Sequence, residues 1–218
     1  TNADASDVPS VWSSLVADTE IRFALATCNP DGYQTNGITR TETTVTNWGG
    51  SDNVKYTSLG GHDAWPAADY LNIWVCNIGG GLLGYAYQPG INAQIDGVVV
   101  GWNYFGLSNH NSYDLGRTTT HEIGHYFNLD HLWGGGGVNT NCNASDAVSD
   151  TPVQEEPNYG CNNPFPHVSC SNGPNGDMFM NYMDYGNDQC LIFFTNGQGS
   201  RMRSALNGPR ASLKSSAG

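Results

Sequence analysis

Apolar positions change their period several times along the chain. Val8, Val11, Trp12, Leu15 and Val16 recur at helical spacing with Pro9 near the start, so SVWSSLV predicts a short amphipathic helix. EIRFALAT then alternates, placing Ile21, Phe23 and Leu25 on one face of a strand. GITRTET, YLNIWVCNI, GLLGYAYQP and DGVVVGWNYFG are further strand segments, each bounded by Gly, Asn, Asp or Pro. From Asn111 to Asp130 the helical period returns, with Ile123, Tyr126 and Phe127 apolar in NSYDLGRTTTHEIGHYFNLD. Gly, Asn, Pro, Ser and Asp dominate from Trp133 to Met180, a stretch too long for an ordinary connection. TNGQGSRMRSALNG predicts a closing helix stopped by Gly208 and Pro209. The order describes an α+β chain with a mixed sheet, few helices and no internal repeat.

Length and charge narrow the picture. A chain of 218 residues can bury a sizeable core as one domain or as two lobes around a cleft. It has no apolar run long enough to span a membrane, and TNADASDVPS lacks the basic-then-apolar pattern of a signal peptide. A soluble, mature or trimmed polypeptide is therefore expected. A net charge of -12 would repel phosphate backbones and anionic lipid, which argues against nucleic acid and membrane as partners. Cys28, Cys76, Cys142, Cys161, Cys170 and Cys190 are even in number and contain no CxxC pair, a pattern of disulfides in an oxidising compartment rather than of thiolate metal ligands.

The chemistry concentrates in HEIGH. On a helix, His121 and His125 project from one face a turn apart, so both imidazoles can reach one metal while Glu122 points beside it. A catalytic zinc takes three protein ligands and leaves a position open, and His131 is the candidate for the third. A continuing helix would carry His131 to another face, so the chain must turn between His125 and His131. The pattern HExxHxxGxxH places a left-handed glycine at that turn; here the position is Asn128, the non-glycine residue that best tolerates this conformation.

A second segment, MNYMDY at 180–185, matches the methionine turn that lies beneath the metal in metzincins. By that resemblance Met183 is the turn methionine, and Tyr185, two residues on, is the candidate partner of the reacting carbonyl oxygen.

Together these motifs resemble one metzincin family, the pappalysins, and within it the bacterial cytophagalysin and ulilysin branch. LVADTEIRFALA, TNGITRT, LNIWVCNI, GLLGYAYQP, DGVVVGWNYFG, LGRTTTHEIGHYFNLDH, SDTP, YGC, NYMDY and FTNGQGSRM fall in that family's order. The resemblance implies a single catalytic domain over 1–218. Its upper lobe, about 1–128, would hold a twisted, mostly parallel sheet and the active-site helix, above an irregular, disulfide-linked lower lobe of about 129–218. It also implies Cys142 paired with Cys170 and Cys161 with Cys190, and leaves Cys28 and Cys76 as a third pair between neighbouring strands.

By the same likeness GLLGYAYQP is the exposed edge strand to which an extended peptide adds. CNASDAVSDTP resembles a calcium-binding segment of bacterial members, with Asp146, Asp150 and Thr151 as hard oxygen ligands and a structural Ca²⁺ expected beside the Zn²⁺. The apolar run Leu191, Ile192, Phe193 and Phe194 reads equally as core strand or as the wall of the pocket beyond the scissile bond.

The expectation is a secreted zinc-dependent endopeptidase acting on proteins or peptides as a monomer. In it three neutral imidazoles hold zinc and the zinc-bound water becomes acidic. Glu122 takes its proton during attack on the peptide carbonyl and passes it to the leaving amine, with Tyr185 helping to stabilise the oxyanion. Two rivals use the same residues. A thermolysin-like peptidase would draw its third ligand from Glu155 or Glu156, and a secreted binding module would close a structural metal site with His62, His110 or His167.

Overall fold

The computed structural model describes residues 4–108, 112–135, 141–161 and 163–216. Its centre is a three-stranded sheet of β1 (Ile73–Cys76), β2 (Gly84–Ala86) and β3 (Val98–Gly101) in the order β1-β3-β2. β1 and β3 are parallel, with Ile73 opposite Val98; β2 runs antiparallel to β3, with Gly84 opposite Val100. Consecutive valines occupy β3 because both faces of this strand are covered, and Val98, Val99 and Val100 are all 0% exposed. Val98 and Val100 join the main core, whereas Val99 packs on the other face with Val54, Trp74 and Ile78.

Helix α1 (Arg117–Tyr126) lies across the main-core face. The Asp188 carboxylate accepts from the Leu115 and Arg117 amides, 2.8 and 3.0 Å, and so holds the entry to the helix. At the other end Asn128 has φ 74°, its amide donates to the His125 carbonyl (2.8 Å), and the Leu129 amide donates to the Gly124 carbonyl (2.9 Å). That pair of bonds is a Schellman ending, built on the residue expected to take the left-handed turn.

The segment that follows contains only two short parallel strands among its described residues, β4 (Tyr159–Gly160) and β5 (Tyr185–Gly186). Disulfides Cys142–Cys170 and Cys161–Cys190 fasten it. Helix α2 (Asn196–Asn207) closes the chain, started by a reciprocal capping box between Thr195 and Gln198 and ended at Gly208. One core runs through all of this, joining Tyr126, Phe127, Met183, Leu191, Phe193 and Met202. No described helix is long and apolar enough to cross a membrane.

The structure corrects four expectations. SVWSSLV is a set of turns with a single 3-10 turn at Ser13–Leu15; Trp12 is buried against Phe165, Phe179 and Phe193, but so short a segment gains little from helical bonds alone. EIRFALAT and GITRTET form no strand, and each begins on a left-handed residue, Glu20 (φ 60°) and Gly37 (φ 73°). Ile21 packs on the main core and Phe23 touches Phe127, but Phe23 and Leu25 stay 57% and 65% exposed, so the alternating face is only partly covered. Cys28 and Cys76 are free rather than bonded. Cys28 belongs to a tight turn bridged to Gln34, its carbonyl taken by the Tyr70 hydroxyl, whereas Cys76 packs against the Val99 cluster, where burial pushes its thiol up to about 11. Leu191, Ile192, Phe193 and Phe194 are all buried and form no strand, with one bridge between Phe193 and Asn181.

Candidate active site

Helix α1 presents His121, Glu122 and His125, and the Schellman turn brings His131 back over them. The three Nε2 atoms lie 3.1, 3.1 and 3.2 Å apart. Their other nitrogens fix the tautomers: His121 Nδ1 donates to the Tyr182 carbonyl (2.7 Å) and His125 Nδ1 to the Leu129 carbonyl (2.8 Å). Nε2 of both rings is therefore an acceptor. Two acceptor lone pairs facing each other at 3.1 Å repel unless a cation lies between them. Tetrahedral zinc with bonds of about 2.0–2.1 Å sets ligand nitrogens about 3.3–3.4 Å apart, close to the spacing observed. The donor set thus fits zinc. Burial also favours the neutral ligand form, holding His121 well below the usual histidine range and His131 down to about 3, helped in both by neighbouring imidazoles.

The described residues contain no other such cluster of His, Cys, Asp or Glu. His62 bonds Thr41, and His167 sits 3.7 Å from Asp177, so neither closes the site; His110 lies outside the described residues. Glu155 and Glu156 are also apart from the cluster, which removes the thermolysin-like arrangement.

Glu122 is buried beside the histidines, and burial pushes its carboxyl up to about 8; a cation held by the imidazoles would oppose that rise. Gly84 of β2 is packed against it: a Cβ there would lie 2.9 Å from Glu122 Cγ and 2.9 Å from the Val99 carbonyl oxygen. Below the helix, Met183 is fully buried, and a Cβ on Gly124 would collide with its sulfur. Tyr185 stands over the histidines, 5.6 Å from His121 and 5.0 Å from His131 between ring centroids. Its phenol is pushed up to about 12, first by burial and then by the Glu122 charge, so it is a hydrogen-bond donor at neutral pH.

The three histidines, Glu122, Gly84 and Tyr185 line a cleft of about 950 Å³ that runs along 81–91, over the histidines, to Tyr159 and Leu191. β2 is an edge strand of the sheet and follows the cleft, as expected for GLLGYAYQP. Leu191 reaches the cleft wall; Ile192, Phe193 and Phe194 belong to the core.

The expected calcium residues separate. The Thr151 hydroxyl lies 2.8 Å from both Asp146 carboxylate oxygens, whereas Asp150 points at α2 and accepts from the Thr195 hydroxyl (2.7 Å) and the Gly197 amide (2.8 Å). The sequence reading also missed contributors. Trp133 stacks on His131 at 4.4 Å and 9°, and Asp184 accepts from the Tyr185 amide at 2.8 Å. An aromatic two residues after the third histidine was the available sign of the first; nothing in the pattern marked Gly84 or Gly124 as tight contacts.

Comparison with known proteins places this geometry in context. A family model described as pregnancy-associated plasma protein-A matches residues 55–207. An extracellular metalloprotease of Colletotrichum graminicola is 35% identical over 217 residues, covering 93% of this chain and 73% of that protein. Extracellular metalloprotease 1 of Coccidioides posadasii is 42% identical over 141 residues, covering 62% of this chain and 48% of its own length, so the match to some relatives spans only about half of them. Among solved structures, mature mirolysin of Tannerella forsythia in complex with a cleaved peptide superposes with a TM-score of 0.92 at 44% identity, over 97% of this chain and 81% of that one.

Proposed function

This chain belongs to the pappalysin family of metallopeptidases, a metzincin-type α+β fold, and from that premise we propose how its site works. It is a zinc-dependent endopeptidase. The observation that carries the residue assignment is the convergence of the three Nε2 atoms of His121, His125 and His131 at 3.1–3.2 Å, with Glu122 beside them in the cleft. Those imidazoles would hold zinc, which when bound acidifies water and polarises the scissile carbonyl.

The other steps belong to the chain's own groups. An extended peptide pairs with the free edge of β2, which lays its scissile bond across the histidines. Glu122 accepts a proton from the attacking water and gives it to the departing amine nitrogen, completing hydrolysis without net proton change. The Tyr185 hydroxyl donates to the oxygen that gains negative charge. Met183 forms the floor on which α1 rests.

The relatives' extracellular naming, together with two disulfides, supports a secreted enzyme; our reading takes it as a monomer acting on proteins or peptides, one catalytic domain whose lobes meet near residues 128 and 129. The peptide bound to mirolysin supports the same substrate class. The acidic net charge favours neither nucleic acid nor membrane as a partner. A structural calcium ion would draw on Asp146, since Asp150 is committed to α2.

The test measures zinc content beside hydrolysis of a denatured protein, for wild type and Glu122→Gln, with and without chelator. About one zinc per chain in both proteins is expected, with turnover lost by at least about a thousandfold in the variant and abolished in wild type by the chelator. Zinc bound with no cleavage by wild type would favour the binding-module reading, and unchanged turnover in the zinc-loaded variant would remove Glu122 from its role.

A further inference from the structure

Arg201, on α2, does not line the cleft. Its guanidinium nevertheless meets the backbone at two places where the chain adopts the left-handed conformation that side chains disfavour. Nε donates to the Asn128 carbonyl at 2.6 Å; Nη1 donates to the Asp146 carbonyl at 3.1 Å and the Ala147 carbonyl at 3.4 Å. Asn128 has φ 74° and Ala147 φ 58°, and among the described residues the only other non-glycine with positive φ is Glu20. Nη2 reaches Asp130 Oδ2 at 3.3 Å. The second oxygen of Asp130 accepts from Gln88 Nε2 (2.8 Å), which also donates to the Leu129 carbonyl at 3.2 Å.

We propose that Arg201 is a positioning residue for the metal site: it clamps the 128–130 turn, and through it His131, to the loop at 146–147. This rests on the reading of His131 as the third zinc ligand. The Schellman bonds satisfy the Gly124 and His125 carbonyls and Arg210 Nε that of Tyr126, which leaves the Asn128 carbonyl, just beyond the helix, to Arg201. A planar guanidinium carries several N–H groups at fixed angles, so one side chain holds three carbonyls and a carboxylate together; an ammonium cannot match that fork.

His131 alone among the three ligands is not on α1, so its position depends on this turn rather than on helical geometry. The left-handed conformation is unfavourable for a side-chain-bearing residue, more so for Ala147 than for Asn128, so an unclamped turn is prone to relax and withdraw the imidazole. Gln88 completes the arrangement from the far side, fixing Leu129 and Asp130 to the end of the segment that lines the cleft.

The experiment measures zinc affinity by competition with a chromogenic chelator, at fixed calcium, for the wild type, Arg201→Met, Arg201→Lys and the double variant Arg201→Met with Asn128→Gly. Thermal melting of the zinc-free and zinc-loaded forms of each runs alongside. Outer groups that orient a metal-bound histidine typically set affinity by about 10–100-fold, and a loss of that size is expected for Arg201→Met. The zinc-induced rise in melting temperature should shrink with it, Arg201→Lys should fall between, and glycine at 128, which takes positive φ without cost, should recover part of the affinity. A residue that merely staples α2 would lower both melting temperatures together and leave zinc affinity within about threefold of wild type; that result overturns the proposal. If Arg201→Met does not fold, Arg201→Lys decides by the same criterion. Failure of the underlying site reading looks different, since the wild type itself would then bind no zinc.

Discussion

The layer from β1 to the end of α1 and the irregular segment from Leu129 to Thr195 meet at the same metal site, yet they are fixed by different physics. In the first, positions are set by apolar burial and by side chains that are absent: Val98 and Val100 fill the space under the helix, Gly84 lets β2 approach Glu122, and Gly124 lets α1 sit on Met183. In the second, buried polar groups take the place of ladders. Asp184 accepts from the Asn158 amide and side chain, from Gln154 Nε2 and from the Tyr185 amide, at 2.7 to 3.0 Å, and Asp177 accepts from Ser169 and Asn172. Burial still pushes the Asp184 carboxyl up to about 6 against all four donors, so the network is held in place at some cost. Two ligands and the base come from the regular layer; the methionine floor and Tyr185 come from the polar one. The geometry is accurate only while both remain in place.

The largest expected effect separates the two regions by removing the covalent tie from one of them. Cys142 and Cys170 close a separation of 28 residues, and replacing both by serine should lower unfolding free energy by about 3–4 kcal/mol in urea titrations, while the α1 layer keeps its packing. A loss below about 1 kcal/mol would mean that the polar network holds the segment without the bond, and the contrast between the regions would then rest on hydrogen bonding alone.

A smaller effect probes the regular layer. At an exposed helix position Gly→Ala gains about 1 kcal/mol from propensity. Gly124→Ala should instead destabilise by about 1–3 kcal/mol, because the new Cβ meets the Met183 sulfur and the backbone between His121 and His125 must lift. At about 2–4 °C per kcal/mol for a chain of this size, thermal melting resolves the sign. A rise in melting temperature would show that the methionine floor has room to yield.

How much of this was legible beforehand follows the same division. α1, its ending at Asn128, the valine strand and the edge strand along the cleft could be placed from period and motif, because regular elements advertise themselves through spacing. Trp12 was readable as an anchor but not as part of turns, since a buried aromatic has the same pattern in either. EIRFALAT shows the converse: alternation predicts a strand only where a partner strand offers a ladder, and Phe23 and Leu25 stay mostly exposed with none beside them. The pairing of Cys142 with Cys170 and of Cys161 with Cys190 came from family likeness, and the same likeness misplaced Cys28 and Cys76. Arg201 and Gly84 left no local sign at all, because each acts on a residue distant in sequence, and Asp184 is held by Gln154 and Asn158 from far along the chain. The chemistry of the site was legible, and most of what orients it was not.

The smallest effect concerns the place where the regular layer touches the reaction. Gly84→Ala puts a Cβ 2.9 Å from Glu122 Cγ and equally close to the Val99 carbonyl oxygen, and the flexible carboxylate arm is the partner able to move. Glu122 should rotate away from the water it is proposed to activate, while His121 and His125 stay where α1 and their carbonyl partners hold them. Zinc content should therefore be unchanged, the loss of stability should be about 1–2 kcal/mol because the Val99 oxygen belongs to the backbone and must also shift, and kcat should fall about tenfold, equivalent to about 1.4 kcal/mol. Steady-state kinetics on a single peptide distinguish the causes. A drop in kcat at constant KM places the effect on Glu122, whereas a rise in KM at constant kcat would mean that the new methyl obstructs the peptide along β2. In that second case the glycine serves passage of the substrate, and the tight packing in the regular layer protects the cleft rather than the base.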